Sequence, residues 1–365
     1  MINKVEINKT DYLLISSLLI LSFSPLLSDV LKFIILLALT SMLLVSKIDI
    51  VKSKLLILFS MYLLIGITIL VEMLDSTNNF SELYIYLPIS LLLGLLITEY
   101  YPEHVFLKII ENIVYWIAIF SLFGLITITI YPSLINILPS YEYYGTVHKT
   151  AYLFNILLNQ DGGYISRITG IAWEPGVFQL LLNLSLYNYL KENKKYSIFK
   201  LLVYIVSIFL TKSTIGLFIM FLILLIMVKK SKEIRYIIII LLLFLFKPLS
   251  EEIMFQVENK LNGSYSFNIR IEPLINAMKY GVDHFFGIGN SRYNSIYSQL
   301  NLGSFDSFSQ LFLRYGYLFT LLVICLILKN KNMFSIIILI TFSSQTIWFL
   351  PFITPFYFYS FNRTR

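Results

Sequence analysis

Three hundred and sixty-five residues would suit two or three soluble domains, but composition excludes that reading: hydrophobic side chains make up 58% of the chain and charged ones only 13%, against about 25% charge in a soluble domain. A mean hydropathy of +0.78 also excludes disordered tails, collagen repeats and disulfide scaffolds, and leaves an all-α, polytopic integral membrane protein as the fold class. The net charge of +7 invites a nucleic-acid partner, so the placement of those charges has to be settled first.

A helix needs roughly 20 apolar residues to cross the hydrocarbon core. In chain order, runs that meet or approach this length fall near 12–27, 30–46, 55–73, 83–99, 106–131, 175–190, 197–211, 214–228, 235–249, 307–328 and 333–350. A twelfth, short and aromatic, follows at 351–361. About 11–12 transmembrane helices are therefore expected in a single transmembrane domain over 1–365. Lys4 and Lys9 precede the first run without a small-residue cleavage site after it, so that run reads as a signal anchor. Cys325 has no partner cysteine and carries no redox information.

Short loops orient the chain. Lys47, Lys52 and Lys54 share one, and Lys191, Lys194, Lys195 and Lys200 another; Lys229, Lys230, Lys232 and Arg235 form the third, and Lys329 and Lys331 the fourth. Against these thirteen cations stand Asp49, Glu192 and Glu233, a net of +10. Positive loops are cytoplasmic. The rest of the chain carries a net −3, so the basic pI marks orientation and no nucleic acid is expected as a partner. Alternation then puts 74–82, 132–174 and 250–306 outside, the last as a large structured loop with a short helix near 273–281, begun by Glu272 and Pro273.

Charges at the edge of an apolar bundle are costly and point to function. The densest group is RITGIAWEPG, residues 167–176. Pro175 suits the first turn of a helix, which puts Glu174 at the positive end of its dipole, with Arg167 seven residues upstream; an Arg–Glu pair capping the helix is the plainer alternative. In TKSTIG, 211–216, Lys212 lies 12 residues from Lys200 and 17 from Lys229, about 18 and 25 Å of helix. Both fall short of the ~30 Å core, so the turn bearing Lys212 is expected below the outer surface. Arg270 and Arg292 lie in the long loop, Asp306 and Ser307 at the mouth of the next run, and Arg314 two turns into it. Arginine grips phosphate oxygens with a planar fork, so converging cations suit a diphosphate. His284, His104 and His148 form no catalytic pattern, and Cys, His and carboxylate spacing offers no metal site.

RITGIAWEPG, TKSTIG, the loop around Arg270, FFGIGNSRY and SFDSFSQLFLRYG (304–316) occur in that order over residues 165–330. This order resembles the bacterial O-antigen and capsular polysaccharide polymerases, relatives of the O-antigen ligases. The resemblance implies a GT-C-like bundle in the bacterial cytoplasmic membrane, with the active site facing outward. It implies inverting transfer from undecaprenyl-diphosphate-linked oligosaccharides, no cofactor, no metal, membrane lipids as surroundings and a chain-length regulator as partner. Arg167, Lys212, Arg270, Arg292 and Arg314 would bind diphosphate, and Glu174 or Asp306 would act as base. Asp306 and Ser307 stand where the ligases carry His-Asn, which argues against a ligase; a ligase and a flippase of lipid-linked sugars remain the rival readings.

Overall fold

The computed structural model describes residues 7–46, 49–74, 81–143, 146–151, 154–157, 167–192, 197–227, 274–280, 282, 284–290, 292–293, 296 and 306–361. Helices form where the apolar runs are: α1 (Lys9–Phe23), α2 (Asp29–Val45), α3 (Lys52–Leu74), α4 (Leu83–Tyr100), α5 (Glu103–Ile130), the single turn α6 (Leu134–Ile137), α7 (Pro175–Glu192), α8 (Ile198–Leu210), α9 (Thr214–Met227), α10 (Ser307–Lys329) and α11 (Met333–Phe342). Residues 274–280 are also helical, where a short helix was expected. Among the described residues four helices, α3, α4, α5 and α10, are long and apolar enough to cross a membrane, which points to a membrane protein of largely helical build. The run expected at 235–249, Arg270 and the loop cations Lys47, Lys194, Lys195, Lys229, Lys230, Lys232 and Arg235 lie outside the described residues.

Two segments depart from the expected helices and loops. Within 132–174, read as a loop, four strands form an antiparallel meander: β1 (Ser140–Tyr143), β2 (Thr146–Ala151), β3 (Phe154–Leu157) and β4 (Arg167–Gly170), in that order. Tyr, Ile and Thr are frequent here, and such residues favour a pleated, half-buried surface. The second departure is at the C-terminal end. Helix α11 stops at Phe342 rather than running to 350. Four polar residues follow, Ser343 to Thr346, whose side chains compete for backbone bonds. The Ser307 hydroxyl donates to the Gln345 carbonyl (2.5 Å) and accepts from the Ile347 N–H (2.9 Å), fixing the turn. The expected twelfth span is instead turns and two short 3-10 segments, Thr354–Tyr357 and Tyr359–Phe361, largely buried. Thr354 Oγ1 donates to the Ser90 carbonyl of α4 (2.8 Å).

Tertiary contacts divide the chain into two compact units, Met1–Ile35 with Tyr101–Arg235 and Leu36–Tyr100 with Tyr236–Arg365. The first is organised around α7, which is buried from Val177 to Leu190. Asn183 Nδ2 donates to Gln179 Oε1 (2.9 Å) and to the Gly216 carbonyl (3.1 Å), tying α9 to α7. Near the other end of α7 sits Glu111 of α5, fully buried. Its carboxylate accepts from Lys108 Nζ (3.0 Å), Lys200 Nζ (2.8 Å) and Asn188 Nδ2 (2.7 Å), and its carbonyl from the Tyr204 hydroxyl (2.8 Å). The Lys200 ammonium also lies over the rings of Tyr115 and Tyr189, at 4.9 and 5.0 Å. Three helices thus meet on one carboxylate. In the second unit a comparable pair, Lys54 with Glu99 (3.2 Å) and Thr98 Oγ1 (2.9 Å), joins α3 to α4.

Removing one partner of a buried ion pair strands the other charge, at about 3–5 kcal/mol. Glu111→Ala is therefore expected to destabilise the first unit by that order, read as a lowered unfolding midpoint of purified protein in detergent; an unchanged midpoint would refute the anchoring role. His148, on β2 opposite Tyr141 and Leu157, is held below the ordinary imidazole range by burial. The unfolded imidazole gains its proton near pH 6.5 and the folded one only at lower pH. The sheet thus has its full stability above about 6.5 and loses it as the pH falls. Amide exchange over 147–150, corrected for intrinsic rates, is expected to accelerate from pH 7 to pH 5 in the wild type but not in His148→Phe.

Candidate anion site at an interrupted helix

Helix α10 is interrupted at Gly316, whose φ of 76° and ψ of −175° are not helical. A break of this kind frees backbone groups that a buried segment must satisfy elsewhere. Residues 285–289 supply them. The Ile288 N–H donates to the Leu313 carbonyl (2.8 Å), the Gly289 N–H to the Arg314 carbonyl (3.1 Å), and the Tyr317 N–H to the Phe285 carbonyl (3.1 Å). Such close backbone approach requires glycine on both sides: a Cβ at Gly316 would strike the Phe285 carbonyl oxygen, and one at Gly287 (φ +83°) the Arg314 carbonyl. Side chains hold the loop too, with Thr68 Oγ1 donating to the Phe286 carbonyl (3.0 Å) and the Tyr317 hydroxyl to the Met278 carbonyl (2.7 Å). Ala277, Ile288, Tyr293 and Leu313 form a small buried core beneath it.

This docking assembles a polar cluster inside the second unit. Near the end of α3, Glu72 accepts a hydrogen bond from the Tyr84 hydroxyl at the start of α4. The Asn290 N–H reaches the Tyr84 oxygen (2.8 Å) and, at 3.3 Å, Glu72 Oε2. The Asn290 side chain faces the other way. Its Nδ2 donates to the Tyr315 hydroxyl (3.0 Å), and its Oδ1 accepts from Arg314 Nη1 (3.1 Å). The guanidinium carbon lies 4.0 Å from the centroid of the Tyr293 ring, a stacking that suits arginine.

Among the described residues, Arg314 is thus oriented but not neutralised. No carboxylate among the described residues lies within ion-pair distance of it. Its Nε is buried and has no acceptor among them. Buried polar atoms are nearly always paired, so an orphaned guanidinium N–H on a partly buried side chain suits an anionic guest. The fork presents parallel donors to a phosphate or carboxylate. Among the described residues Glu72 forms no ion pair with Arg314, and Asn290 hydrogen-bonds to both.

The other residues singled out from sequence are divided between the two units. Arg167 opens β4, pairs across to Leu157 and is partly exposed. Glu174 immediately precedes α7, whose first residue is Pro175 as expected, and its carbonyl accepts from the Val177 and Phe178 N–H groups (both 3.1 Å). Lys212 sits in the α8–α9 turn with a left-handed φ of 48° and an exposed side chain. In the second unit Arg292 is partly buried two residues beyond Asn290. Asp306 is the N-cap of α10, accepting from the Ser309 N–H and hydroxyl, both at 2.7 Å, one on each carboxylate oxygen. Burial pushes its carboxyl up, and the Ser309 donors oppose that. Glu72, Tyr84, Asn290, Tyr293 and Tyr315 were not singled out as site residues. The available signal was the Gly-Ile-Gly-Asn-Ser-Arg-Tyr stretch, which marks a close backbone approach but not its partner.

Gly289→Ala places a methyl group against Glu72 in a left-handed conformation, and is expected to destabilise the protein by about 1–3 kcal/mol. Gly66→Ala, on a face of α3 with nothing within 4 Å of the added carbon, is expected to be neutral or stabilising by up to ~1 kcal/mol. Unfolding midpoints of both variants check this, and equal behaviour would contradict the docking geometry. Among family models, curated proteins and solved structures, none matches this chain.

Proposed function

We propose that the chain is an oligosaccharide repeat-unit polymerase of the bacterial cytoplasmic membrane, transferring glycan from an undecaprenyl-diphosphate carrier to a lipid-linked acceptor on the outer side. The observation that carries this is the Arg314 guanidinium, oriented by Asn290 and Tyr293 with no carboxylate within ion-pair distance among the described residues, at a break in a long apolar helix. A cation so placed suits an anionic headgroup whose tail stays in lipid. The motif resemblance adds Arg270 and Arg292 as further diphosphate ligands; Arg167 and Lys212, its other candidates, belong to the first unit.

The chemistry asks little beyond charge. The acceptor hydroxyl oxygen attacks the anomeric carbon, the bond from that carbon to the diphosphate oxygen breaks, and the electron pair leaves with the diphosphate. Arginine stabilises the charge as it develops. The hydroxyl proton passes to a carboxylate, for which the resemblance offers Glu174 and Asp306. Ser309 engages both oxygens of Asp306 but leaves each a second lone pair for a proton, so Asp306, in the same unit as Arg314, is the first to test. One displacement inverts the anomeric centre, and no covalent sugar–enzyme intermediate is required.

An interrupted helix is also how secondary transporters build ion and substrate sites, so export of lipid-linked sugar is the second reading. Purified protein in nanodiscs, supplied with synthetic lipid-linked repeat units, separates the two. Lipid-linked oligomers are expected, with Arg314→Gln lowering turnover by about 10²–10³-fold at an unchanged unfolding midpoint. Transfer to a different acceptor would indicate a ligase, and movement across sealed vesicles without bond formation a transporter; either result overturns the polymerase.

A further inference from the structure

Asn290 is placed to do two things at once. Its backbone N–H is fastened to the Tyr84–Glu72 pair, and its side chain is fastened at both ends, to the Tyr315 hydroxyl and to Arg314 Nη1. The residue is 3% exposed, so neither end of the amide competes with water. Rotation about the last side-chain bond would exchange donor and acceptor and break the contact with Arg314, which can only donate, whereas the Tyr315 hydroxyl could turn to serve either end. The amide is therefore held in one orientation by its neighbours.

A carboxylate could make nearly the same contacts. It would accept from Arg314 Nη1, and the Tyr315 hydroxyl could turn to donate to its other oxygen. Aspartate has the same shape and would add an ion pair in a buried setting. Yet an amide occupies the position, and the nearby carboxylate, Glu72, is held by Tyr84 and the Asn290 N–H rather than by the arginine. The cluster has a counter-ion available and keeps it one residue away.

We propose that Asn290 is a positioning residue that aims the Arg314 guanidinium while leaving its charge unspent, so that the site selects doubly anionic phosphate esters such as a polyprenyl diphosphate over neutral lipids. This rests on the anion-binding reading given above. Charge-neutral orientation keeps the arginine's attraction for an incoming anion. An internal carboxylate would compete for the same N–H groups and cancel the local potential. The role is one of positioning, since Asn290 acts through Arg314 rather than on the substrate.

Stability and affinity are expected to rank the variants in opposite ways, which a purely structural role for Asn290 does not do. Farnesyl diphosphate is the probe, with farnesol as its neutral control, titrated calorimetrically against the full chain in nanodiscs alongside unfolding midpoints. Asn290→Asp is expected to keep or raise the midpoint and weaken farnesyl diphosphate binding at least tenfold. Asn290→Ala is expected to lower the midpoint and weaken binding by a smaller factor, with farnesol unaffected in both. Asn290→Asp binding as tightly as wild type would overturn the inference while leaving the anion site standing. Should wild type itself not distinguish farnesyl diphosphate from farnesol, the anion-binding reading fails and the inference goes with it. If the Asp variant does not fold, Tyr315→Phe carries the test: it removes the acceptor that holds the amide, and an unchanged affinity there would equally overturn the proposal.

Discussion

A backbone N–H or C=O released inside an apolar segment has to find a partner, and the candidate site in the second unit is arranged around one such release. Where α10 breaks at Gly316, the Leu313 and Arg314 carbonyls and the Tyr317 N–H turn to residues 285–289 instead of to their own helix. That substitution brings a distant loop into contact with α10 and with the ends of α3 and α4. Once the loop is seated, Asn290 has Tyr84 and Glu72 behind it and Arg314 in front. The arginine is therefore positioned by a backbone requirement rather than by an ion pair. This is how a cation can be rigid and still keep its charge for a guest.

The first unit meets the opposite problem by the opposite means. Glu111 is fully buried and takes hydrogen bonds from two lysines and an asparagine. Desolvating that carboxylate is costly, and only multiple charge-assisted bonds offset the cost. The result is a network that joins α5, α7 and α8 on one fully engaged carboxylate. Lys54 with Glu99 and Thr98 does similar work between α3 and α4. The orphaned Nε of Arg314 contrasts with these two centres, where Glu111 and Lys54 are each ion-paired.

Much of the helical framework was legible in sequence. Apolar runs of the right length set the helices to within a few residues, and Pro175 marked the start of α7 because its missing N–H is no loss there. The strands at 140–170 were missed because short strands with weak alternation read as loop when flanked by long helices. Helix α11 was extended too far because hydropathy does not register that Ser343 to Thr346 will turn the chain. Arg314 was picked out as a charge within an apolar run, a local oddity that any reader of sequence can see. Its orienting partners were not legible, since asparagine and tyrosine in a loop have many ordinary uses.

The chain by itself therefore determined its solvent, its helices and which charges would be expensive, all of which follow from local composition and periodicity. Only the tertiary structure decided which of those charges would be neutralised and which left available. Asn290 meets Tyr84 and Glu72 across 206 and 218 residues, and no period or spacing encodes a contact of that range. The physical reason lies in the helix break. Gly316 can leave the helix in any sequence context, but what answers its freed groups depends on which loop the fold brings to it.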